Sequence, residues 1–197
     1  MVQLPIYMDN HSTTRVDPRV LQAMLPYFCE EFGNAASTTH DFGRRAAAAT
    51  ERARGQVAKS IGAEAKEIVF TSGATEADNL AIKGATAMLR KRGNHIITAG
   101  TEHHAVLDPC KRLAREGFDV TFLRVDRFGM VDPEDVRRAI TDQTVLISIM
   151  AANNEIGTIE PIAEIGQITR QRGVLFHTDA TQAVGKIAID VEAMNID

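Results

Sequence analysis

The stretch VLFHTDATQ, residues 174–182, is an apolar run that ends abruptly in polar side chains. Its apolar half predicts a buried β-strand. A carboxylate is costly to bury without a partner, so Asp179 at the end of this strand requires a neighbour that supplies charge or hydrogen bonds. Strand ends of this kind are therefore the positions in the sequence that indicate both the fold and a possible binding site.

Similar β-rich segments precede this one at intervals of about 25 to 30 residues, with helical patterns between them. They are EIVFTS from residue 67, HIITAG from 95, DVTFLRV from 119 and TVLISIM from 144. One intervening helix, DPEDVRRAI from residue 132, begins with an aspartate cap and a proline at its first position. Strands alternating with helices predict an α/β fold with a mainly parallel sheet flanked by helices.

The composition narrows the class of protein. With 197 residues, 44% hydrophobic and 24% charged, the chain suits one ordinary domain or the larger part of a two-domain protein. Its net charge of −4 and the lack of a long basic cluster argue against a nucleic-acid ligand. No signal peptide and no membrane span are expected. Cys29 and Cys110 lack metal-type spacing, which favours a reduced, cytoplasmic setting.

In open parallel sheets, ligands bind beyond the carboxyl ends of the strands. The segment TSGATEADN, residues 71–79, follows one predicted strand and opens a helix. The backbone N–H groups of Ala74 and Thr75, with nearby hydroxyls, describe a phosphate cradle. The alternative is an ordinary capped helix in which Glu76 satisfies the first turn. The segment matches neither the dinucleotide nor the P-loop glycine pattern.

Two further strand ends carry histidine and asparagine. TEHHAVL, residues 101–107, places two adjacent histidines that do not point to one spot, so no metal site is expected there. One imidazole either stacks on a planar ring and carries a proton, or simply caps a helix or lies on the surface. Asn153 and Asn154 end another strand, where they either form a turn or bind a polar ligand.

Asp179 has two candidate partners. One is a local cation such as Lys186, and the other is the protonated ring nitrogen of a bound cofactor, whose pKa a nearby carboxylate raises. Gln182 lies close enough in sequence to hydrogen-bond an oxygen on the same ring. A phosphate cradle, a stacking imidazole, an amide and a carboxylate are together the groups that hold pyridoxal phosphate, an electron sink.

The chain resembles the cysteine desulfurases of the NifS and IscS type, which are pyridoxal-phosphate enzymes of the class-V aminotransferase family. The blocks that carry the resemblance, in family order, are YMDNHSTTRVDPRV, FGNAASTTH, EIVFTSGATEADNLAIKG, HIITAGTEHHAVL, SIMAANNEIGTIEPI and FHTDATQAVGK. The resemblance implies the large domain of a fold-type I transferase, incomplete at its C-terminus. Residues 1–15 would form an arm packing with a small domain, and residues 16–197 a partial large cofactor-binding domain, with the C-terminal half of the protein absent.

The resemblance also implies roles for individual residues. Ala74 and Thr75 would hold the cofactor phosphate. His103 would stack on the pyridine ring and act as an acid–base catalyst. Asp179 would pair with the pyridinium nitrogen.

Asn154 and Gln182 would contact cofactor or substrate around the ring oxygen, and His177 would orient the strand end. Ala35 departs from the family pattern, which often has proline there.

The implied reaction converts L-cysteine to L-alanine and transfers sulfur to an enzyme cysteine, for assembly of iron–sulfur clusters or thio-cofactors. The implied partners are an iron–sulfur scaffold or another sulfur acceptor, in a cytoplasmic homodimer. The family's Schiff-base lysine and catalytic cysteine would lie beyond Asp197, so this chain alone is expected to be inactive. The alternatives are a non-catalytic partner or regulatory fragment, and a lyase for selenocysteine or another β-substituted amino acid.

Overall fold

The computed structural model describes residues 4–197, which form two compact units. The first unit runs from residue 4 to Lys59 and includes Glu64–Ile68, and the second comprises Ser60–Ala63 and Val69–Asp197. Residues 1–3 of the predicted arm lie outside the described part of the chain. The boundary predicted after residue 15 stays a prediction.

The first unit contains α1 (Pro18–Cys29), nearly all of α2 (Asp41–Ser60) and a 3₁₀ turn at Ala65–Glu67. The start of α1 is fixed locally, because the Asp17 carboxylate accepts a hydrogen bond from the backbone N–H of Arg19 at 2.8 Å and proline occupies the first helical position.

The second unit is built around a four-stranded parallel sheet. Its strands are β1 (His95–Ala99), β2 (Asp119–Leu123), β3 (Thr144–Ser148) and β4 (Leu175–His177), in the order β2-β1-β3-β4. All three pairings are parallel. The helices are α3 (Ala74–Leu89), α4 (His104–Arg115), α5 (Pro133–Ala139) and α6 (Ile162–Arg172). The predicted parallel sheet flanked by helices is confirmed.

Two hydrophobic cores form because successive residues of a buried strand point to opposite faces of the sheet. Ile96 of β1 packs with residues of α3 and α4, including Ile82 and Val106. Ile97, the next residue, belongs to a larger core that includes Ile165 of α6. Both faces of the sheet are therefore covered, as is typical of parallel sheets.

The strand order contains a reversal between β1 and β3. The chain passes from β1 to β2 on one side and then crosses back to place β3 on the other side of β1. In α/β sheets this reversal opens a crevice at the carboxyl ends of the two strands, where ligands bind. A ligand-binding site is therefore expected at the segments that follow β1 and β3.

The strand predicted from residue 67 is absent. Residues 65–67 form the 3₁₀ turn, and the residues that follow are irregular, with Val69 67% and Phe70 49% exposed. A strand needs a neighbour to pair its backbone N–H and C=O groups, and within residues 4–197 no strand pairs with this segment.

Within residues 4–197, no helix is both long enough and apolar enough to cross a membrane.

Candidate active site

The N-terminus of α3 presents free backbone donors. Gly73 is the N-cap residue and makes no side-chain capping bond, and its carbonyl oxygen accepts the N–H of Ala77 at 3.1 Å. The N–H groups of Ala74 and Thr75 come too early in the helix to have intrahelical acceptors. A β-carbon added at Gly73 would meet no atom within 4 Å, so there is open space beside Gly73 at the start of the helix. This is a suitable environment for an anion.

The capping alternative for this segment is not formed as predicted, because Gly73 makes no side-chain capping bond and Glu76 reaches back to the residue before the cap. The Glu76 carboxylate accepts hydrogen bonds from the Ser72 backbone N–H at 2.7 Å and from the Ser72 hydroxyl at 2.6 Å. These two bonds lower the pKa of Glu76. Because Glu76 binds Ser72, it leaves the N–H groups of Ala74 and Thr75 available.

His103 caps α4 through one ring nitrogen. Its Nδ1 accepts the backbone N–H of Ala105 at 3.1 Å. A neutral imidazole that accepts at Nδ1 carries its proton on Nε2. The exposed ring of His103 therefore offers a plane for stacking and an Nε2–H donor, and the helix-capping role predicted as the alternative holds at the same time.

Thr75 and His103 line a common cavity of about 370 Å³ between α3 and α4. Asn79 holds the two helix starts together, since its Nδ2 donates to the carbonyl oxygens of Thr75 at 2.9 Å and Ala105 at 3.3 Å. The structure thus brings the predicted phosphate-binding threonine and the predicted stacking histidine together. Ala74, Asn154, Asp179 and Gln182 do not line this cavity.

The two asparagines after β3 have different roles. Asn153 is buried, and its Oδ1 accepts the backbone N–H groups of Glu155 and Ile156 at 2.8 and 3.1 Å, which forms the turn. Its Nδ2 donates to the Thr101 carbonyl oxygen at 3.0 Å. Asn154 is half-buried and has one 3.5 Å contact, with its neighbour's carboxylate. The turn prediction is met by Asn153, which leaves the Asn154 amide for a ligand.

Asp179 is 8% exposed and lies directly beyond β4. Its Oδ1 accepts the backbone N–H of Thr181 at 2.9 Å, and none of the ion pairs within residues 4–197 includes it. Lys186, the local cation considered from the sequence, instead donates a hydrogen bond to Gln182 Oε1. The ion pair with Lys186 is therefore not formed, and the Asp179 carboxylate keeps capacity for a cationic partner.

Three adjacent strand ends are tied together by backbone and side-chain bonds. The Ala151 N–H donates to the Asp179 carbonyl oxygen at 2.9 Å, which joins the end of β3 to the end of β4. The Met150 N–H donates to Glu102 Oε1 at 2.8 Å, which joins β3 to the loop after β1. The predicted residues His103, Asn154 and Asp179 therefore lie on loops that hold one another in place.

Sequence reasoning missed the buried polar residues beneath these loops. Asp78 on α3 has its Oδ1 3.5 Å from His177 Nε2, and His177 Nδ1 lies 2.9 Å from the Ser148 hydroxyl. Glu102 is buried beside His103. One signal was available for Glu102, namely that it follows a buried strand as Asp179 does, whereas Asp78 sits inside a helix and carried no such signal.

The donor set fits pyridoxal phosphate. Free N–H groups at a helix N-terminus suit a phosphate, a neutral imidazole offers a stacking face, and a buried carboxylate without a cation suits a protonated ring nitrogen. The residues that supply these groups are Ala74, Thr75, His103 and Asp179. Within the described residues, no group of three or more histidine, cysteine, aspartate or glutamate side chains is placed to hold a metal ion.

Residues 6–197 match the family model of the class-V aminotransferases. The chain therefore belongs to the aminotransferase class-V family.

Among relatives, it is 59% identical over 196 residues to cysteine desulfurase IscS of Anaeromyxobacter sp. (strain K), a match that covers 100% of this chain and 48% of that protein. The chain spans about half the length of the curated relatives it matches.

Solved structures of similar proteins agree with these sequence matches. A NifS-like protein is 42% identical with a TM-score of 0.93, covering 98% of this chain and 53% of that one. A structure of SspA in complex with cysteine is 41% identical with a TM-score of 0.93, covering 97% of this chain and 55% of that one. The resemblance to NifS and IscS proteins that the sequence blocks predicted is confirmed.

Proposed function

We propose that the chain forms the pyridoxal-phosphate-binding part of a cysteine desulfurase, which converts L-cysteine to L-alanine and passes the sulfur to an enzyme cysteine. The observation that carries this proposal is Asp179, a buried carboxylate without a cation at the strand ends. The names of the relatives and the cysteine-bound SspA structure support the substrate. Because the chain spans about half the length of those relatives, we assign sulfur transfer to the protein together with the polypeptide that completes its site.

Each predicted residue has a task in this function. The N–H groups of Ala74 and Thr75 would bind the cofactor phosphate. His103 would lie against the ring and hold a proton at Nε2. Asp179 would keep the ring nitrogen protonated, because a carboxylate beside a basic nitrogen raises its pKa. When bound, the cofactor supplies an electron sink for bonds at the substrate Cα.

Asn154 and Gln182 would complete the site with amide groups around the ring oxygen. The turn made by the neighbouring Asn153 supports this role, because it does not use the Asn154 amide. From the family resemblance we further infer a cytoplasmic homodimer that delivers sulfur to an iron–sulfur scaffold or another acceptor protein.

The decisive experiment measures pyridoxal phosphate binding by visible absorbance in the wild type and in Asp179→Asn. Loss of a hydrogen bond to a charged group costs about 1.5–3 kcal/mol, so the dissociation constant should rise about 10- to 100-fold. The matched control is Asp190→Asn. Asp190 also accepts a backbone N–H, that of Ala193 at 2.9 Å, but it is exposed and outside the site.

We expect Asp190→Asn to bind the cofactor as the wild type does. Equal affinity of Asp179→Asn and the wild type would show that the carboxylate does not serve the cofactor. The reaction itself is tested with the protein together with the polypeptide that completes its site. The assay measures alanine formed from L-cysteine, and the sulfide that a dithiol reductant releases from the sulfur carried on the enzyme cysteine. Production of alanine from selenocysteine but not from L-cysteine would identify a selenocysteine lyase instead.

A further inference from the structure

Glu102 lies immediately before His103 and is only 5% exposed. Its Oε1 accepts the backbone N–H of Met150 at 2.8 Å. Its Oε2 is buried and has no hydrogen-bond partner within residues 4–197, and no ion pair in that range includes Glu102. A buried carboxylate with one hydrogen bond and no cation is strongly disfavoured when ionised. The geometry therefore favours the neutral acid.

The titratable groups that face Glu102 from the surrounding elements point to the same charge state. The acidic ones are Asp179 beyond β4, Glu160 before α6 and Asp78 on α3, and the Cys110 thiol lies on α4. Burial raises the pKa of Glu102 to about 8; the Met150 N–H opposes the rise, and the three carboxylates add to it. Like charges cannot share one site cheaply, so one of the neighbouring acids keeps its proton.

Glu102 is also one half of a clamp between two loops. Its side chain bonds the Met150 N–H beyond β3, and the Asn153 side chain beyond β3 bonds back to the Thr101 carbonyl oxygen. The two bonds run in opposite directions between the loop that carries His103 and the loop that carries Asn154. They fix the spacing of the crevice at the strand reversal.

We propose that Glu102 is a positioning residue that works as a neutral carboxylic acid, holding the His103 loop against the end of β3 and leaving Asp179 to carry the negative charge of the site. This inference rests on the proposed function, because it assigns the charge that the cofactor ring would meet. It goes further by predicting which carboxyl group keeps a proton and which conservative substitution preserves the site.

The protonation state is tested by infrared difference spectra of wild type minus Glu102→Gln at neutral pH. We expect the wild type to show the C=O stretch of a protonated carboxylic acid that the variant lacks. Loss of ionised carboxylate bands alone would overturn the proposal. This measurement needs no cofactor, so it decides the charge of Glu102 even if the protein fails to bind pyridoxal phosphate and the proposed function is wrong.

The positioning role is tested by ¹⁵N NMR of the His103 ring, which reports its tautomer without cofactor. Glu102→Gln keeps an acceptor for Met150 and should leave the Nε2–H form of His103 unchanged. Glu102→Asp keeps the acid but is one methylene shorter and should disturb it. The reverse order, with the glutamine variant disturbed and the aspartate variant normal, would show that a carboxylate charge is required and would refute the proposal.

Pyridoxal phosphate binding gives a second readout. Glu102→Gln should bind within about twofold of the wild type and Glu102→Asp about tenfold more weakly, a loss of about 1.4 kcal/mol. Asp126→Asn is the control, because Asp126 also accepts backbone N–H groups, from Phe128 at 2.8 Å and Met130 at 2.9 Å, but is exposed and is not among the acids that face Glu102. It should leave both binding and the His103 spectrum unchanged. A glutamine variant of Glu102 that binds tenfold more weakly would contradict the neutral-acid role.

Discussion

Substitution of Glu102 by glutamine should make the protein less sensitive to alkaline pH, by an amount that follows from its pKa. The pKa of Glu102 rises from the ordinary value of 4.5 to about 8 in the folded protein, chiefly through burial. The folded state therefore retains a proton that the unfolded chain releases. The stability from this group is fully present below the unfolded value of 4.5 and is lost progressively as the pH rises towards 8.

The size of the effect is set by the difference between the two pKa values. One pKa unit corresponds to about 1.4 kcal/mol, so a rise from 4.5 to about 8 corresponds to about 5 kcal/mol over the full range. Between about pH 5 and pH 8 the wild type should lose about 3–4 kcal/mol from this group. Glutamine has no proton to lose, so Glu102→Gln should gain that amount relative to the wild type across the same range.

The assay is urea unfolding of both proteins at several pH values, with the difference in the free energy of unfolding plotted against pH. Taking the difference cancels the contributions of titratable groups that do not interact with Glu102. A difference that stays flat within about 0.5 kcal/mol from pH 5 to pH 8 would mean that Glu102 has an ordinary pKa, and the argument from burial would fail.

Two further predictions concern the sheet and its helices. A β-carbon at Gly166 would overlap the carbonyl oxygen of Met194, so Gly166→Ala should lower the free energy of unfolding by about 2 kcal/mol or more; Gly84→Ala, where no atom lies within 4 Å, should raise it by about 0.5–1 kcal/mol in the same urea experiment. His95 is buried between two threonine hydroxyls at 2.8 and 2.9 Å, and burial lowers its pKa. Its contribution is present above the unfolded value of 6.5 and lost as the pH falls, so His95→Gln should flatten the acid side of the stability profile, and an unchanged acid slope would count against this.

The strands could be predicted from the sequence where the residue pattern and the pairing partner agree. The segments HIITA and TVLIS are fully buried strands, and their richness in β-branched and other apolar residues predicts strands there. The segment from residue 67 has a comparable apolar run but no strand beside it within the described residues, and Val69 and Phe70 are exposed there. The local residue pattern gives only the preference of a segment for strand structure. A strand also requires a neighbouring strand to pair with, and the local pattern does not show whether one is present.

At the site, the sequence could predict which types of residue lie near one another. It could not predict which atom of each side chain bonds the protein and which stays available for a ligand. For His103 the sequence predicts two competing roles, and the structure shows that one does not exclude the other. The His103 ring caps the helix with one nitrogen and keeps its second nitrogen for another partner, and the Glu76 carboxylate binds Ser72 while leaving the helix N–H groups free. A polar side chain with two bonding atoms can satisfy its own chain and still present a group to a ligand.

The partners of the buried acids depend on the strand order, so the sequence alone points to Asp179 but not to Glu102. Both follow apolar strands, but Glu102 bonds a backbone N–H that lies 48 residues further along the chain. That contact exists only because β3 lies beside β1, after the chain has crossed back over its starting strand. The same reversal opens the crevice in which a ligand is expected. The feature that creates the site therefore also creates the need for a residue such as Glu102 to join its two sides, and a neutral acid does so without adding a second charge beside Asp179.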